Sequence, residues 1–388
     1  MIKQNIILIR YGEIALKSSK VRNRYEKILI NNIKKCLDFH NLEYSKITRE
    51  WGRIYVHTLD KKAINIITRV FGVVSASYVY TTESNLDAIS PSVAEIGKKV
   101  IKNGESFAIR ARRAGVHDFT SHDVGVVCGA EIAKKIKNPV VDLTNPDKEI
   151  FVEVRQDLTY IFTEIIKGVG GLPLGTQGKM VALISGGIDS PVAAWLMMKR
   201  GCNIIPVYCN NYPFADETTL QRAMDCIDTL QKWSIGHKFK IYEVPNGENI
   251  VAILKNCNNR IRKLTCVLCR RMMYRIAIEV AKRENALGII TGASLGQVAS
   301  QTSLNMLSEM YGLNFPIYHP LIGMDKTEIT DLAKKIGTFN DSTKPAQCCT
   351  ATPEYPATAA KWKEVIEFEK NLDIEELLQN SVDNAIIR

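Results

Sequence analysis

A glycine-rich turn follows an apolar run near the middle of the chain. The run Val181–Ile184 predicts a buried strand, and the turn SGGIDS at residues 185–190 leads into the helix-forming stretch AAWLMMK. A strand, a glycine turn and a helix N-terminus together bind phosphate, because the backbone approaches closely and free N–H groups favour an anion. The candidate phosphate-binding residues are Ser185, Gly186, Gly187, Asp189 and Ser190. A plain tight turn is the alternative, and the Walker pattern is absent from the sequence.

Cysteines form a second candidate group. Cys266 and Cys269 have the spacing that lets two thiolates reach one metal, and Cys348 and Cys349 lie in a proline-containing loop. The neighbouring Arg270 and Arg271 are expected to lower the pKa of the thiols. The chemistry leaves open an iron–sulfur cluster, a zinc ion held by four thiolates, or a Cys266–Cys269 redox disulfide. The other six cysteines are predicted to be small buried residues: Cys36, Cys128, Cys202, Cys209, Cys226 and Cys257.

Alternating strands and helices surround the glycine turn. Strands are predicted at 181–184, 203–209, 238–245 and from 288, with helices at 218–233 and largely over 253–285. This alternation predicts an α/β unit with an open parallel sheet, whose ligands bind at the carboxyl ends of the strands.

The front of the chain predicts smaller α+β units. Strands at 5–11, 54–56 and 75–81 with helices at 20–38 and 61–70 favour a ferredoxin-like arrangement. A later strand carries Arg110, Arg112 and Arg113 and precedes a helix that begins near Asp123. Guanidinium groups beside a helix N-terminus can hold phosphates, although surface ion pairs are the alternative.

Composition and charge bound the class of protein. The 388 residues carry a net charge of +10, and a chain of this length holds about two or three domains. Residues 1–177 contain 27 basic and 19 acidic residues (+8), whereas residues 178–388 contain 24 and 22 (+2). The basic front half is suited to nucleic acid, and a solvated basic surface is the alternative. No membrane span or signal peptide is predicted, so we expect a cytoplasmic protein without a disulfide framework.

Several motifs together resemble one family. SGGxDS resembles the loop of the ATP pyrophosphatases, which adenylate substrates, and RYGEIALKS at 10–18 resembles the N-terminal signature of the 4-thiouridine synthetase (ThiI) family. The stretch 106–154 resembles a THUMP RNA-binding domain. The resemblance implies an adenine nucleotide alpha hydrolase-like PP-loop fold preceded by ferredoxin-like and THUMP domains. The expected domains are 1–80, 81–167 and 179–388, with a linker at 168–178.

The resemblance also implies site residues. TGASLGQVASQT at 291–302 matches a family motif except at Ala293, where a glutamate is expected, so position 293 is left out. Catalytic roles are implied for Asp189, Lys326, Cys348 and Cys349, and nucleotide-side roles for Gly292, Ser294, Gln297 and Gln301. Asp189 and Asp325 are the candidates for Mg²⁺. The implied RNA-binding residues are Lys17, Arg24, Arg110, Arg112, Arg113 and His117.

The CxxC spacing resembles the archaeal branch of the family, in which three cysteines hold an iron–sulfur cluster. This implies Cys266, Cys269 and Cys349 as ligands, with Cys348 not separable from Cys349 on physical grounds. Longer bacterial relatives append a rhodanese-like domain with a persulfide cysteine. The tail from Lys361 is expected to be a short charged helical segment instead, which favours the cluster.

The expected function is ATP-dependent thiolation of uridine at position 8 of tRNA. Adenylation of uridine O4 is followed by sulfur attack at C4, with ATP and Mg²⁺ as cofactors and the cluster as the expected sulfur-handling group. The expected partners are tRNA, a second copy in a homodimer, and a sulfur donor, either sulfide or a cysteine desulfurase; some relatives also serve thiamine synthesis. The alternatives are a related enzyme that adenylates another RNA base or a small amide, and a non-enzymatic RNA-binding protein.

Overall fold

The computed structural model describes residues 4–388. The chain divides into two compact units, of which the first ends at Gly171 and the second spans Leu172–Arg388.

The first unit is built on one mixed sheet. Its strands are β1 Gln4–Tyr11, β2 Lys46–Glu50, β3 Arg53–His57, β4 Val73–Glu83, β5 Ser106–Arg113, β6 Val140–Val141, β7 Lys148–Val154, β8 Leu158–Phe162 and β9 Ile166–Lys167. Its helices are α1 Ser19–Phe39, α2 Ala63–Ile67, α3 Leu86–Val100 and α4 Ser121–Lys135. Within the described residues the strand order is β2-β3-β1-β4-β8-β7-β5-β6, and β9 pairs with β4.

The two predicted front segments share this sheet. Strand β4 pairs antiparallel with β1 on one side and with β8 on the other, so it joins the ferredoxin-like strands to the THUMP-like strands. β4 also runs through the predicted boundary between residues 80 and 81. Strands β5 and β7 pair in parallel, and helices α3 and α4 bury Ile89, Val93 and Ile132 against them.

The second unit confirms the predicted open parallel sheet. Its strands are β10 Lys179–Leu183, β11 Asn203–Asn210, β12 Tyr242–Pro245, β13 Ile289–Ile290, β14 Ile317–Tyr318 and β15 Ile386–Ile387. The order is β14-β13-β10-β11-β12-β15, and only β15 is antiparallel among the strands described. Since the chain winds away from β10 in both directions, the ligand crevice belongs at its carboxyl end, where the glycine turn lies.

Ten helices cover this sheet within the described residues. They are α5 Asp189–Lys199, α6 Glu217–Gln231, α7 Gly247–Asn256, α8 Asn259–Arg262, α9 Thr265–Arg283, α10 Ser303–Met310, α11 Lys326–Ile336, α12 Phe339–Ser342, α13 Trp362–Glu369 and α14 Ile374–Asp383. The helical prediction over 253–285 thus holds with two breaks. The fourth strand is only two residues long.

The predicted linker 168–178 contains the boundary between the two units, which falls after Gly171. From Leu172 onward the segment packs on the second unit: Leu172 and Leu174 are buried, and the Leu172 N–H donates to the Lys199 carbonyl at 2.9 Å. Burial of the two leucine side chains stabilises this packing.

A buried ion pair fastens the C-terminal segment to α9. Arg271 is 2% exposed, and its guanidinium lies 2.9 Å from Glu369 of α13 and donates to the Tyr311 carbonyl at 2.6 Å. Arg275 also contacts Glu369, at 2.5 Å. This carboxylate therefore compensates two cations and holds α13 against α9.

Removing that carboxylate should destabilise the fold. We expect Glu369→Ala to lower the free energy of unfolding by about 3–5 kcal/mol, because Arg271 is left buried without its counter-charge. Urea denaturation measures the change. The control is Glu367→Ala, whose exposed pair with Lys370 should contribute less than about 1 kcal/mol. Equal effects of the two variants would contradict this role for Glu369.

A crevice at the glycine turn beside a thiol group

The glycine turn forms a tight strand-to-helix loop. The Ser185 N–H donates to Ser190 Oγ at 3.0 Å, which closes the loop, and the Gly187 N–H points to Ser185 Oγ at 3.5 Å. Gly186 has a positive φ of 72°, and a Cβ there would lie 2.8 Å from the Ala223 nitrogen of α6. Only glycine fits that position, since both its conformation and its space exclude a side chain.

Asp189 is held by two side chains from distant parts of the sequence. Lys326 Nζ lies 2.6 Å from Asp189 Oδ1, and Gln297 Nε2 donates to Asp189 Oδ2 at 2.8 Å. Asp189 begins α5, Lys326 begins α11, and Gln297 lies in the loop after β13. The fold therefore brings three predicted residues together at one point.

Gly292 makes the closest backbone approach in this crevice. A Cβ at Gly292 would lie 2.6 Å from the Ser190 nitrogen and 2.9 Å from the Asp189 carbonyl carbon. The loop after β13 thus packs directly on the N-terminus of α5.

A cavity of about 180 Å³ opens at this contact. It is lined by Leu183, Ser185, Gly187, Asp189, Ser190, Arg270, Met273, Tyr274, Thr291, Gly292 and Gln301. The sequence did not point to Met273 or Tyr274, and it assigned Arg270 to the thiols only. Their spacing along α9 was the available signal, because residues 270, 273 and 274 share one helical face.

A buried carboxylate lies behind Arg270. Glu309 is fully buried, and its Oε1 lies 3.5 Å from Arg270 Nη1, while the Tyr274 hydroxyl donates to Oε2 at 3.4 Å. Burial raises the pKa of Glu309 to about 7, although Arg270 and Tyr274 both oppose the shift. The same Arg270 Nη1 donates to Ser300 Oγ at 3.1 Å.

Three further predicted groups make contacts within the protein. Asp325 is the N-cap of α11 and accepts from the Glu328 N–H at 2.9 Å. Ser294 Oγ donates to the Met324 carbonyl at 2.9 Å. Gln301 Oε1 accepts from the Ser294 N–H at 3.3 Å, and Ala293 is fully buried.

The thiol group lies at the start of α9. None of the ten cysteines, all within residues 4–388, forms a disulfide. Cys349 is half-buried and close enough to Cys266 and Cys269 to raise the pKa of both, whereas Cys348 is exposed. The structure thus distinguishes the two neighbouring cysteines, which the sequence did not.

The prediction that arginines lower the thiol pKa values is wrong. Burial raises the pKa of Cys269 to about 12 and also raises that of Cys266, with Arg270 only partly opposing the shift. Arg271 points away, toward Glu369. Loss of hydration therefore outweighs the nearby charge.

The remaining cysteines divide by burial. Cys36, Cys128, Cys202 and Cys226 are buried as predicted, and Cys209 and Cys257 are half-buried. Cys209, at the end of β11, has its pKa raised by burial and, to a smaller extent, by the nearby Cys269. Within residues 4–388, no three His, Cys, Asp or Glu side chains stand in an arrangement ready to hold a metal.

In the first unit, two of the predicted arginines border one cavity. Arg110 and Arg112 line a cavity of about 800 Å³, together with Arg10, Phe151 and Phe162 among others. The two phenylalanine rings stack at 5.2 Å, and the Arg10 guanidinium lies 4.6 Å above Phe162. Cations and stacked rings are the groups that hold a single-stranded nucleic acid.

The other predicted RNA residues have varied surroundings. Arg110 forms an ion pair with Glu149 at 2.6 Å, and exposed Arg113 donates to the Gly115 carbonyl at 2.9 Å. His117 Nε2 lies 3.0 Å from the Arg155 carbonyl. Lys17 and Arg24 are exposed, and the Arg24 guanidinium lies 5.3 Å from the Tyr25 ring.

Comparisons with known proteins match the whole length. The family described as thiamine biosynthesis protein (ThiI) matches residues 175–374, its ferredoxin-like domain matches 6–77, and the THUMP domain matches 83–164. A probable tRNA sulfurtransferase of Methanosarcina mazei is 54% identical over 385 residues, which cover 98% of this chain and 94% of the relative. The chain belongs to the ThiI family. Both the fold class and the resemblance inferred from the sequence are confirmed.

Other ThiI relatives include proteins of the same name from archaea and bacteria. One from Methanothermobacter thermautotrophicus is 43% identical, covering 96% of this chain and 95% of the relative, and one from a Thermoanaerobacter species is 39% identical, covering 99% of each. A crystal structure of a 4-thiouridine synthetase–RNA complex with bound ATP superposes with a TM-score of 0.86 at 31% identity, covering 100% of this chain and 99% of that one. Among residues 4–388, no helix has the length and apolarity needed to cross a membrane.

Adding one methyl group at Gly292 should weaken nucleotide binding. We expect Gly292→Ala to reduce ATP affinity by about tenfold or more, because the Cβ must push the β13 loop away from Ser190. Equilibrium dialysis with labelled ATP measures the loss. Gly323→Ala is the control, since a Cβ there meets nothing within 4 Å. Unchanged affinity in Gly292→Ala would show that this contact does not shape the nucleotide site.

Proposed function

We propose that the protein is an ATP-dependent tRNA sulfurtransferase that forms 4-thiouridine, with position 8 of tRNA as its target. Family membership and the likeness to a 4-thiouridine synthetase–RNA complex with bound ATP support this proposal.

One observation is the main support for the proposal: two of the thiols and part of the crevice lining lie on a single face of α9. Cys266, Cys269, Arg270, Met273 and Tyr274 follow the spacing i, i+3, i+4, i+7 and i+8, which is one helical face. The last three line the cavity at the glycine turn. At about 1.5 Å per residue, the thiols lie about one to two turns from those residues. A base adenylated in the crevice would meet sulfur chemistry nearby.

The crevice would perform the activation. Uridine O4 attacks the α-phosphorus of ATP, a P–O bond forms, and the bond to the departing pyrophosphate breaks. Backbone N–H groups of residues 185–190 would bind the phosphates, and Lys326 would offset the negative charge that develops on pyrophosphate. Asp189 would supply a carboxylate for Mg²⁺, which in such sites binds through one or two carboxylates and the phosphates themselves.

The thiol group would act in the second half-reaction, the transfer of sulfur to C4. Sulfide attacks C4, a C–S bond forms, and the C4–O bond breaks so that AMP leaves; no oxidant or reductant is needed. Cys266, Cys269 and Cys349 would be the ligands of an iron–sulfur cluster by donor chemistry, since Cys349 lies close enough to raise the pKa of both other thiols. Among residues 4–388 the three thiols do not stand in a ready metal-binding arrangement, so cluster binding would have to draw them together. Such a cluster, when bound, supplies an open iron position that takes up sulfide. Metal binding would also deprotonate thiols whose pKa burial raises.

The first unit would bind the RNA. Its net positive charge, its arginine-lined cavity and its stacked Phe151 and Phe162 support this assignment. Lys17, Arg24 and Arg113 would add phosphate contacts from exposed positions. We further propose a cytoplasmic homodimer that obtains its sulfur as sulfide or from a cysteine desulfurase.

Neutralising Asp189 should abolish thiolation. We expect Asp189→Asn to reduce 4-thiouridine formation by about 100-fold or more, because Asn preserves the shape but loses the charge that pairs with Lys326. The assay is anaerobic, with unmodified tRNA, ATP and sulfide, and reads 4-thiouridine by nucleoside mass spectrometry. The control is Asp331→Asn, an exposed carboxylate of α11.

The same assay separates the alternative functions. Another altered nucleoside in the wild-type reaction would favour a related adenylating enzyme. Nucleic-acid binding without any ATP turnover would favour the non-enzymatic hypothesis. Full activity of Asp189→Asn would overturn the activation step as proposed.

The two adjacent cysteines should differ in effect. We expect Cys349→Ser to lose both thiolation and bound iron, and Cys348→Ser to keep them, because Cys349 is half-buried and close enough to raise the pKa of Cys266 and Cys269, whereas Cys348 is exposed. Anaerobically purified wild type should be brown and contain iron and acid-labile sulfide. A colourless, iron-free and fully active preparation would instead favour persulfide or disulfide chemistry.

A further inference from the structure

Helix α6 holds the segment that leads to Cys348 and Cys349. Thr219 Oγ1 donates to the Gln347 carbonyl at 3.2 Å, and the Gln347 N–H donates to Thr218 Oγ1 at 3.4 Å. Arg222 Nη1 donates to the Lys344 carbonyl at 3.1 Å. Three side chains on the N-terminal half of one helix therefore fix the backbone of residues 344–347.

Side-chain charge and the far end of the loop complete this attachment. Lys344 Nζ lies 2.6 Å from Asp225 Oδ2 of α6, an ion pair that lowers the pKa of Asp225. Beyond the cysteines, the Thr350 N–H donates to the Phe214 carbonyl at 2.8 Å, just before α6 begins. The two cysteines therefore lie between two attachments, at residues 344–347 and at Thr350, which both bind the region from the end of β11 to α6.

The same helix touches the glycine turn. A Cβ at Gly186 would lie 2.8 Å from the Ala223 nitrogen and 3.2 Å from the Arg222 carbonyl carbon. Arg222 therefore contacts the glycine turn through its backbone and the cysteine segment through its guanidinium. The Arg222 Nε is buried and has no hydrogen-bond partner within residues 4–388. The guanidinium therefore binds the loop through a single hydrogen bond, which it donates to the Lys344 carbonyl.

We propose that α6 holds the Cys348–Cys349 segment in a fixed position relative to the glycine turn, and that Arg222 is the positioning residue for this segment. The inference rests on the proposed function, because it assigns Arg222 to the sulfur-transfer half and not to adenylation. A loop anchored at both ends keeps Cys349 beside Cys266 and Cys269 without touching the nucleotide crevice. Displacement by about 1 Å can slow a reaction by about 100-fold, so this anchoring controls the second step.

The test measures the two half-reactions separately. In Arg222→Gln we expect 4-thiouridine formation to fall by about tenfold to 100-fold, while the rate of tRNA-dependent pyrophosphate release in a single turnover stays within about twofold of wild type. Thr219→Val removes another anchoring hydroxyl at nearly constant volume and should shift the same ratio in the same direction. The control is Arg283→Gln, whose partners Glu279 and Asp383 lie away from the loop.

A second measurement, independent of activity, reports how well the loop shields Cys349. We expect iodoacetamide to modify Cys349 several-fold faster in Arg222→Gln than in wild type, measured by peptide mass spectrometry on freshly reduced protein. The exposed Cys348 provides the internal reference, since it is already accessible in the wild-type protein. Arg222→Lys, which keeps a donor to the Lys344 carbonyl, should restore part of the protection.

The outcomes separate this inference from the proposed function. Equal loss of both half-reactions in folded Arg222→Gln, or no change in either together with unchanged Cys349 labelling, overturns the role of Arg222. Wild-type protein that releases no pyrophosphate with ATP and tRNA overturns the proposed function. In that case Cys349 labelling still decides whether α6 anchors the loop.

Discussion

The backbone contact between Gly292 and the N-terminus of α5 is the constraint on which the nucleotide crevice depends. The loop after β13 packs so closely on Ser190 that no side chain fits between them. This contact brings Gln297 within hydrogen-bond distance of Asp189, on the side opposite Lys326. A crevice at the carboxyl end of β10 is what a parallel sheet provides, and the close packing determines its shape.

Helix α9 connects the crevice to the thiol group. The helix presents thiols at its first turn and lines the crevice one turn later, so both sites share one rigid element. Arg271 and Glu369 fix the opposite face of the helix, which prevents it from rotating relative to α13. Burial keeps the thiols protonated in the absence of metal, and this makes Cys266 and Cys269 poor nucleophiles but suitable ligands once a metal displaces their protons.

The local sequence pattern predicted correctly those features that depend on neighbouring residues alone. Gly186 in a turn with positive φ, the strand around Val181 and the amphipathic helix α1 all follow from short-range spacing. Composition marked 168–178 as a linker, but it does not reveal that Leu172 and Leu174 are buried. The pKa prediction failed for a similar reason: neighbours in sequence show charge, whereas burial depends on the whole fold.

By itself, the sequence determined the fold class, the family and the position of the glycine turn, because these depend on periodicity and on residues that lie together in the chain. Only the tertiary structure decided which distant groups meet Asp189, that Arg270 borders the crevice, and that Cys349 lies close enough to the CxxC pair to affect its pKa values. Contacts between residues far apart in the chain depend on how strands and helices pack, and no local spacing encodes them. The glycine turn was therefore predictable, and its partners were not.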